Sequence, residues 1–236
     1  QQKKYDKRTR SNLLVAFGFN NAIIEGQSID KSPYKMGKSK FFEMGWTWST
    51  RVLENSNAIV AASEVLDIDF SVIMEDRFVG NENGLNPVDY VHINIEYLKN
   101  NYFPKNNFIR ASSGKPFFGI FGPININDEA SWDYAMTAAE EDVVFLPLYW
   151  DKYKVGHNAG GGYDWVIESG VSGINYFYNS VASTLDYAMG CAYPGFNDFY
   201  AEGGWGNNYF YLEHNDGILL NQTLDLAIEN KTSIDA

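Results

Sequence analysis

The order of apolar segments predicts an α/β fold: a (β/α)8 TIM-barrel-like parallel barrel, incomplete at its C-terminal end. Three observations carry this expectation. Strand-like runs alternate with helix-like runs along the chain. The strand-like runs are almost continuously apolar, as parallel strands buried on both faces are. Three of them end in functional-looking residues, Glu75-Asp76, Tyr149-Trp150 and the stretch Tyr193 to Glu202. In a parallel barrel the carboxyl ends of all strands converge on one site. No Gly-x-Gly-x-x-Gly follows an early strand, which argues against a doubly wound dinucleotide fold. The 236 residues suit one domain, 1–236, in which residues 1–48 fit the barrel pattern poorly.

The elements follow in order. Asn12 to Phe19, apolar with β-branched and aromatic character, reads as a strand, and the polar stretch Gly26 to Lys40 as a long loop. Ser49 to Leu66 reads as a helix and Asp69 to Met74 as the second strand. Asn86-Pro87 opens the clearest helix: Asn is a favoured N-cap, and Pro is pre-set for the first turn. Its apolar stripe runs Val88, Val91, Ile95, Leu98, Tyr102, at spacings of three and four, and Pro104 ends it. Phe117 to Phe121 is a strand closed by Gly122-Pro123. Asp128 caps a helix to Glu140, and Val143 to Tyr149 is the next strand. After Gly160-Gly161-Gly162 come a weaker strand, Tyr163 to Ile167, and a helix marked by Ile174, Phe177, Tyr178, Val181 and Leu185. Tyr187 to Ala192 is the sixth strand, and Asn215-Asp216 starts a last helix through Ile228.

Charge narrows the partners. A formal net charge of −12 argues against nucleic acid, whose phosphates demand Lys and Arg, and against an anionic membrane surface. A neutral carbohydrate is compatible with it. No apolar run is long enough to span a membrane. The single cysteine, Cys191, has no histidine near it in sequence and reads as a small buried hydrophobe. No His-x-x-x-His or Cys-x-x-Cys spacing exists, so neither a transition-metal site nor any other cofactor is expected; an oxygen-ligand Ca²⁺ site in the loops stays open.

The segment Tyr193-Pro-Gly-Phe-Asn-Asp-Phe-Tyr-Ala-Glu-Gly-Gly-Trp-Gly206 is the most informative. Pro194 and Gly195 end a strand and turn the chain. Asp198 and Glu202 bring acid chemistry, and the rings of Tyr193, Phe196, Tyr200 and Trp205 offer flat faces for sugar rings. A glycosidase needs two carboxylates, one acid and one base or nucleophile. Glu75, Asp76, Asp198 and Glu202 are the candidates. Trp150, His157, Tyr163, Tyr193, Tyr200 and Trp205 are the candidate substrate-binding residues. The alternatives are an ion pair of Glu75-Asp76 with Arg77, a plain loop histidine at His157, and an acidic surface loop over tucked-in aromatics.

Between about Ile68 and Ala227 the chain resembles the family 71 and family 99 glycoside hydrolases, in particular their bacterial relatives. The matching pieces are Asp69-Phe-Ser-Val-Ile-Met-Glu-Asp-Arg77, the helix Val88 to Tyr102 with Gly114-Lys-Pro-Phe-Phe118 after it, and Tyr193-Pro-Gly-Phe196 with its acidic tail, in matching order and spacing. The resemblance implies a (β/α)8 barrel that hydrolyses glycosidic bonds, in α-mannans or α-1,3-glucans, and a secreted, periplasmic or cell-surface setting. It departs from the family before about Ser49. The family also carries a Trp-Asn-(Glu/Asp)-x-x-Glu segment on the strand after the last helix, and this chain ends at Ser233-Ile-Asp-Ala236, where that strand is expected. The expectation is therefore a chain with part of a sugar site and little activity, with a non-catalytic carbohydrate-binding protein as the alternative.

Overall fold

The computed structural model describes residues 13–15, 50–76, 86–198 and 209–230. It is a mixed α/β structure in which short parallel strands alternate with helices. Strands β1 (Leu13–Val15), β2 (Phe70–Glu75), β3 (Phe117–Phe121) and β4 (Val144–Leu146) pair in parallel in the order β1-β2-β3-β4. Strands β5 (Gly162–Tyr163) and β6 (Ala188–Met189) form a second parallel pair. A parallel bridge between Leu148 and Tyr163 joins the two sheets. The Tyr163 amide donates to the Pro147 carbonyl at 3.0 Å, and Gly160 to Phe145 at 2.9 Å. The six strands thus succeed one another in space in chain order, with no reversal.

Among the described residues five helices connect these strands: α1 (Thr50–Leu66), α2 (Pro87–Asn101), α3 (Glu129–Met136), the short α4 (Lys152–Val155) and α5 (Val171–Tyr176). Helix α2 begins as its sequence dictates. The Asn86 side chain accepts from the Asp89 amide at 2.9 Å, and Pro87 occupies the first turn. Asp128 caps α3 through the Ser131 amide at 2.9 Å.

The two faces of the sheet differ. Phe70, Val72, Met74, Phe118, Ile120 and Phe145 pack with Ile95 and Leu98 of α2 and Trp132 and Ala135 of α3. The alternate residues Ile73, Phe117, Val144, Leu146 and Leu148 pack instead with Tyr163 and Met189, on a face to which no helix residue contributes among the described core residues. This is the period of two that a pleated strand imposes. Two contacts pass over β4. The Tyr163 hydroxyl donates to the Ile120 carbonyl at 3.0 Å. The Phe121 and Trp165 rings meet edge to face at 5.3 Å. Strands two apart lie about 9.6 Å from each other in a flat sheet, so contacts of this kind mark a concave face.

Several boundaries differ from expectation. The strand expected to run from Tyr163 to Ile167 stops at Tyr163, and that of Tyr187 to Ala192 comprises Ala188–Met189. Tyr149, the expected end of the fourth strand, already lies in a 3-10 turn, Tyr149–Asp151. The helix through Leu185 is broken. α5 gives way to a π-helical turn at Phe177–Val181 and a 3-10 turn at Ala182–Thr184. The last helix, α6, spans Ile218–Glu229, because Asp216 and Gly217 both have positive φ. An antiparallel ribbon of β7 (Phe196–Asn197) and β8 (Tyr211–Leu212) follows β6 and was not anticipated. No closed barrel forms among the described residues. The loop expected at Gly26 to Lys40 lies outside them.

Candidate functional site

The carboxyl ends of β2 to β6 carry the polar and aromatic groups. Glu75 is the last residue of β2, in register with Phe121 of β3, and is 6% exposed. Its charge helps to push the Tyr163 hydroxyl well above the usual tyrosine range, an effect caused mainly by burial, and adds to the burial that lifts Tyr90 of α2 to about 12. Glu75 therefore lies within electrostatic reach of β5 from the end of β2.

The neighbouring Asp76 is fully buried. Its carboxylate accepts the backbone N–H groups of Ile124 and Asn125 at 2.8 Å each and of Ile126 at 2.9 Å, and the Asn125 side-chain Nδ2 donates to the Asp76 main-chain carbonyl at 2.6 Å. Both oxygens are engaged by main chain, so Asp76 fixes the loop after β3. The same loop is tied to the next. Lys154 donates to the Pro123 carbonyl at 2.9 Å and pairs with Asp151 at 2.7 Å, both side chains being mostly buried. Hydrogen bonds thus join Asp76, directly after β2, to the loop after β3, and that loop to the segment after β4.

Tyr149 and Trp150 begin the turn after β4, with ring centroids 4.9 Å apart, edge to face. Trp150 is 37% exposed, so one aromatic surface faces solvent beside the strand ends. Tyr163, by contrast, is 1% exposed and serves the inner core.

Sequence reading missed the next residue. Asp164 is 1% exposed, and burial raises its carboxyl to about 6, against the opposing effects of the Trp165 amide and the Cys191 thiol. The Cys191 Sγ lies 3.7 Å from Oδ2, while Oδ1 has no hydrogen-bond partner. Burial and the Asp164 charge push the thiol above its ordinary range, which makes Cys191 a poor nucleophile. Tyr149, Tyr178 and Tyr193 all feel the Asp164 charge. Tyr193 is 8% exposed, and its hydroxyl also lacks a partner. The available signal was a carboxylate between two aromatics, Tyr163 and Trp165, directly after a glycine loop. The expected longer strand hid it by making Asp164 a mid-strand residue.

Of the remaining candidates, two are described, His157 and Asp198. Both ring nitrogens of His157 face α3: Nδ1 meets Glu129, and Nε2 lies 3.4 Å from Asp133, with the side chain largely exposed. The hydrogen bond to Glu129 and the Asp133 charge raise this imidazole above its usual range. Asp198 follows β7, is 4% exposed, and donates its amide to the Phe210 carbonyl at 3.1 Å within the ribbon. Glu202, Tyr200 and Trp205 fall outside the described residues. Among the described residues no group of three or more His, Cys, Asp or Glu side chains is arranged to hold a metal ion, and no helix is long and apolar enough to cross a membrane. The sequence matches no protein-family model and no curated protein.

Proposed function

We propose that this chain binds a neutral glycan at the carboxyl ends of its parallel strands and acts as a hydrolase of glycosidic bonds, in the α-mannan or α-glucan class. The observation that supports this most is the convergence of a buried carboxylate, Glu75, an exposed aromatic face, Trp150 on Tyr149, and the Asp164 and Tyr193 pair on neighbouring strand ends. Strand-end convergence is how parallel barrels build their sites. The six strands are read as an arc of a (β/α)8 barrel. Their unreversed order, and a concave face on which their own side chains pack, support that reading over a doubly wound sheet. A flat indole offers rigid contact area to the C–H face of a pyranose. Glu75 is the strand-end carboxylate that takes the acid or base role, with Asp198 or Glu202 as its partner. Asp76 holds the loop. Such enzymes meet polysaccharide outside the cytoplasm, so a secreted, periplasmic or cell-surface setting belongs to the same proposal.

A second reading, binding without hydrolysis, is favoured by the engagement of Asp76 with three main-chain amides, which removes one member of the Glu75-Asp76 pair from chemistry. Calorimetric titration with α-mannan and α-1,3-glucan oligosaccharides tests the binding claim. Trp150→Ala is expected to weaken affinity about tenfold. Equal affinity in that variant would count against the site. Glu75→Gln then separates the readings: the enzyme loses roughly 10²–10⁴-fold in turnover, whereas a binding protein has no turnover to lose.

A further inference from the structure

Two buried polar atoms near the ends of β5 and β6 have no partner: Asp164 Oδ1 and the Tyr193 hydroxyl. Buried polar groups are nearly always satisfied, because an unpaired one loses its hydration with nothing in return. Here Tyr193 feels the Asp164 charge, and both residues adjoin Cys191, Asp164 through the Sγ at 3.7 Å and Tyr193 two positions on in the chain. Cys191, 3.7 Å from the Asp164 carboxyl, is only half-buried. No Lys, Arg or His stands among their named neighbours, which are Tyr149, Tyr178, Cys191 and the Trp165 amide. An anion would find no counter-charge there.

We infer that Asp164 and Tyr193 form a subsite for one hydroxyl group of a neutral sugar, the ligand hydroxyl donating to Asp164 Oδ1 and accepting from the Tyr193 hydroxyl. A hydroxyl is at once donor and acceptor, so one group satisfies both orphans. A bond to the carboxylate is charge-assisted and stronger than a neutral one. The Asp164 carboxyl, raised to about 6, is ionised above that pH, so binding weakens as pH falls through it. Tyr149, Tyr178, Tyr193 and Cys191 are all shifted upward and keep their protons through this range. The inference rests on the glycan reading above and names the atoms that read the sugar.

Tyr193→Phe is the decisive variant, because it removes only the hydroxyl. If the hydroxyl serves a ligand, the variant folds at least as stably as the parent and binds α-mannan or α-1,3-glucan oligosaccharides roughly tenfold more weakly. Asp164→Asn also weakens binding and abolishes its pH dependence near 6. Binding that is unchanged in both variants overturns the subsite while leaving the glycan reading intact. Loss of thermal stability in Tyr193→Phe, showing an internal role for the hydroxyl, overturns it too. A parent protein that binds neither glycan overturns the glycan reading, and the subsite with it.

Discussion

Asp164 and Asp76 are two buried carboxyls with opposite surroundings. Asp76 receives three main-chain N–H groups, whereas Asp164 has a thiol, one amide and an empty lone pair. For Asp164 the folded-state value of about 6 lies above the unfolded value of roughly 3.9. The linked stability is therefore fully present below about pH 4 and is lost as pH rises through 6. Asp164→Asn, which carries no charge, is expected to be more stable than the parent at pH 7 by on the order of 2–3 kcal/mol. That advantage vanishes below about pH 4, and melting curves from pH 3.5 to 7.5 check it. A constant difference across that range would show that burial does not govern the carboxyl. Asp76→Ala strips acceptors from three amides at once and is expected to destabilise the fold by about 3 kcal/mol or more. Denaturant unfolding measures this, and a loss under 1 kcal/mol would show that the loop holds itself.

At the scale of elements, the glycine loop before β5 makes the tightest demand. A Cβ on Gly161 would fall 1.9 Å from the Tyr187 carbonyl oxygen, so β5 and β6 approach one another only because that side chain is absent. Gly161→Ala must push the two strands apart. It is expected to cost at least 2 kcal/mol and to broaden the near-ultraviolet signal of Trp165, and a variant as stable as the parent would refute the packing. The elements most legible in the sequence were those whose local chemistry and long-range packing agree. Asn86-Pro87, with its apolar stripe, announced α2, and the runs Asp69 to Met74 and Phe117 to Phe121 announced β2 and β3. Legibility failed where tertiary contacts decide. Only two residues pair in each of β5 and β6, although the flanking apolar runs are longer. The β7–β8 ribbon was hidden because Phe196 and Phe210, which stack at 5.0 Å, belong to segments separated by the stretch read as a functional loop. Within the site, Glu75 and Trp150 were visible as strand-end residues. Asp164 was not, because its significance comes from Cys191 and Tyr193 on another strand end.

For the whole molecule, the six parallel strands in chain order have helices packed on one face and their own side chains on the other. Hydrogen bonds to Asp76 and from Lys154 brace the loops at the carboxyl ends before any ligand arrives. Pre-organised loops on a rigid sheet are what a binding site requires, because ordering them at the moment of binding would consume affinity. The acidic surface and the exposed Trp150 suit a neutral, ring-shaped ligand better than a polyanion. The most direct test of this account is a crystal structure of the protein soaked with an α-mannan or α-1,3-glucan oligosaccharide. The account predicts a sugar ring stacked on Trp150, with the glycan running past Glu75 and one hydroxyl between Asp164 and Tyr193. Sugar bound elsewhere, with the strand ends occupied only by solvent, would contradict it.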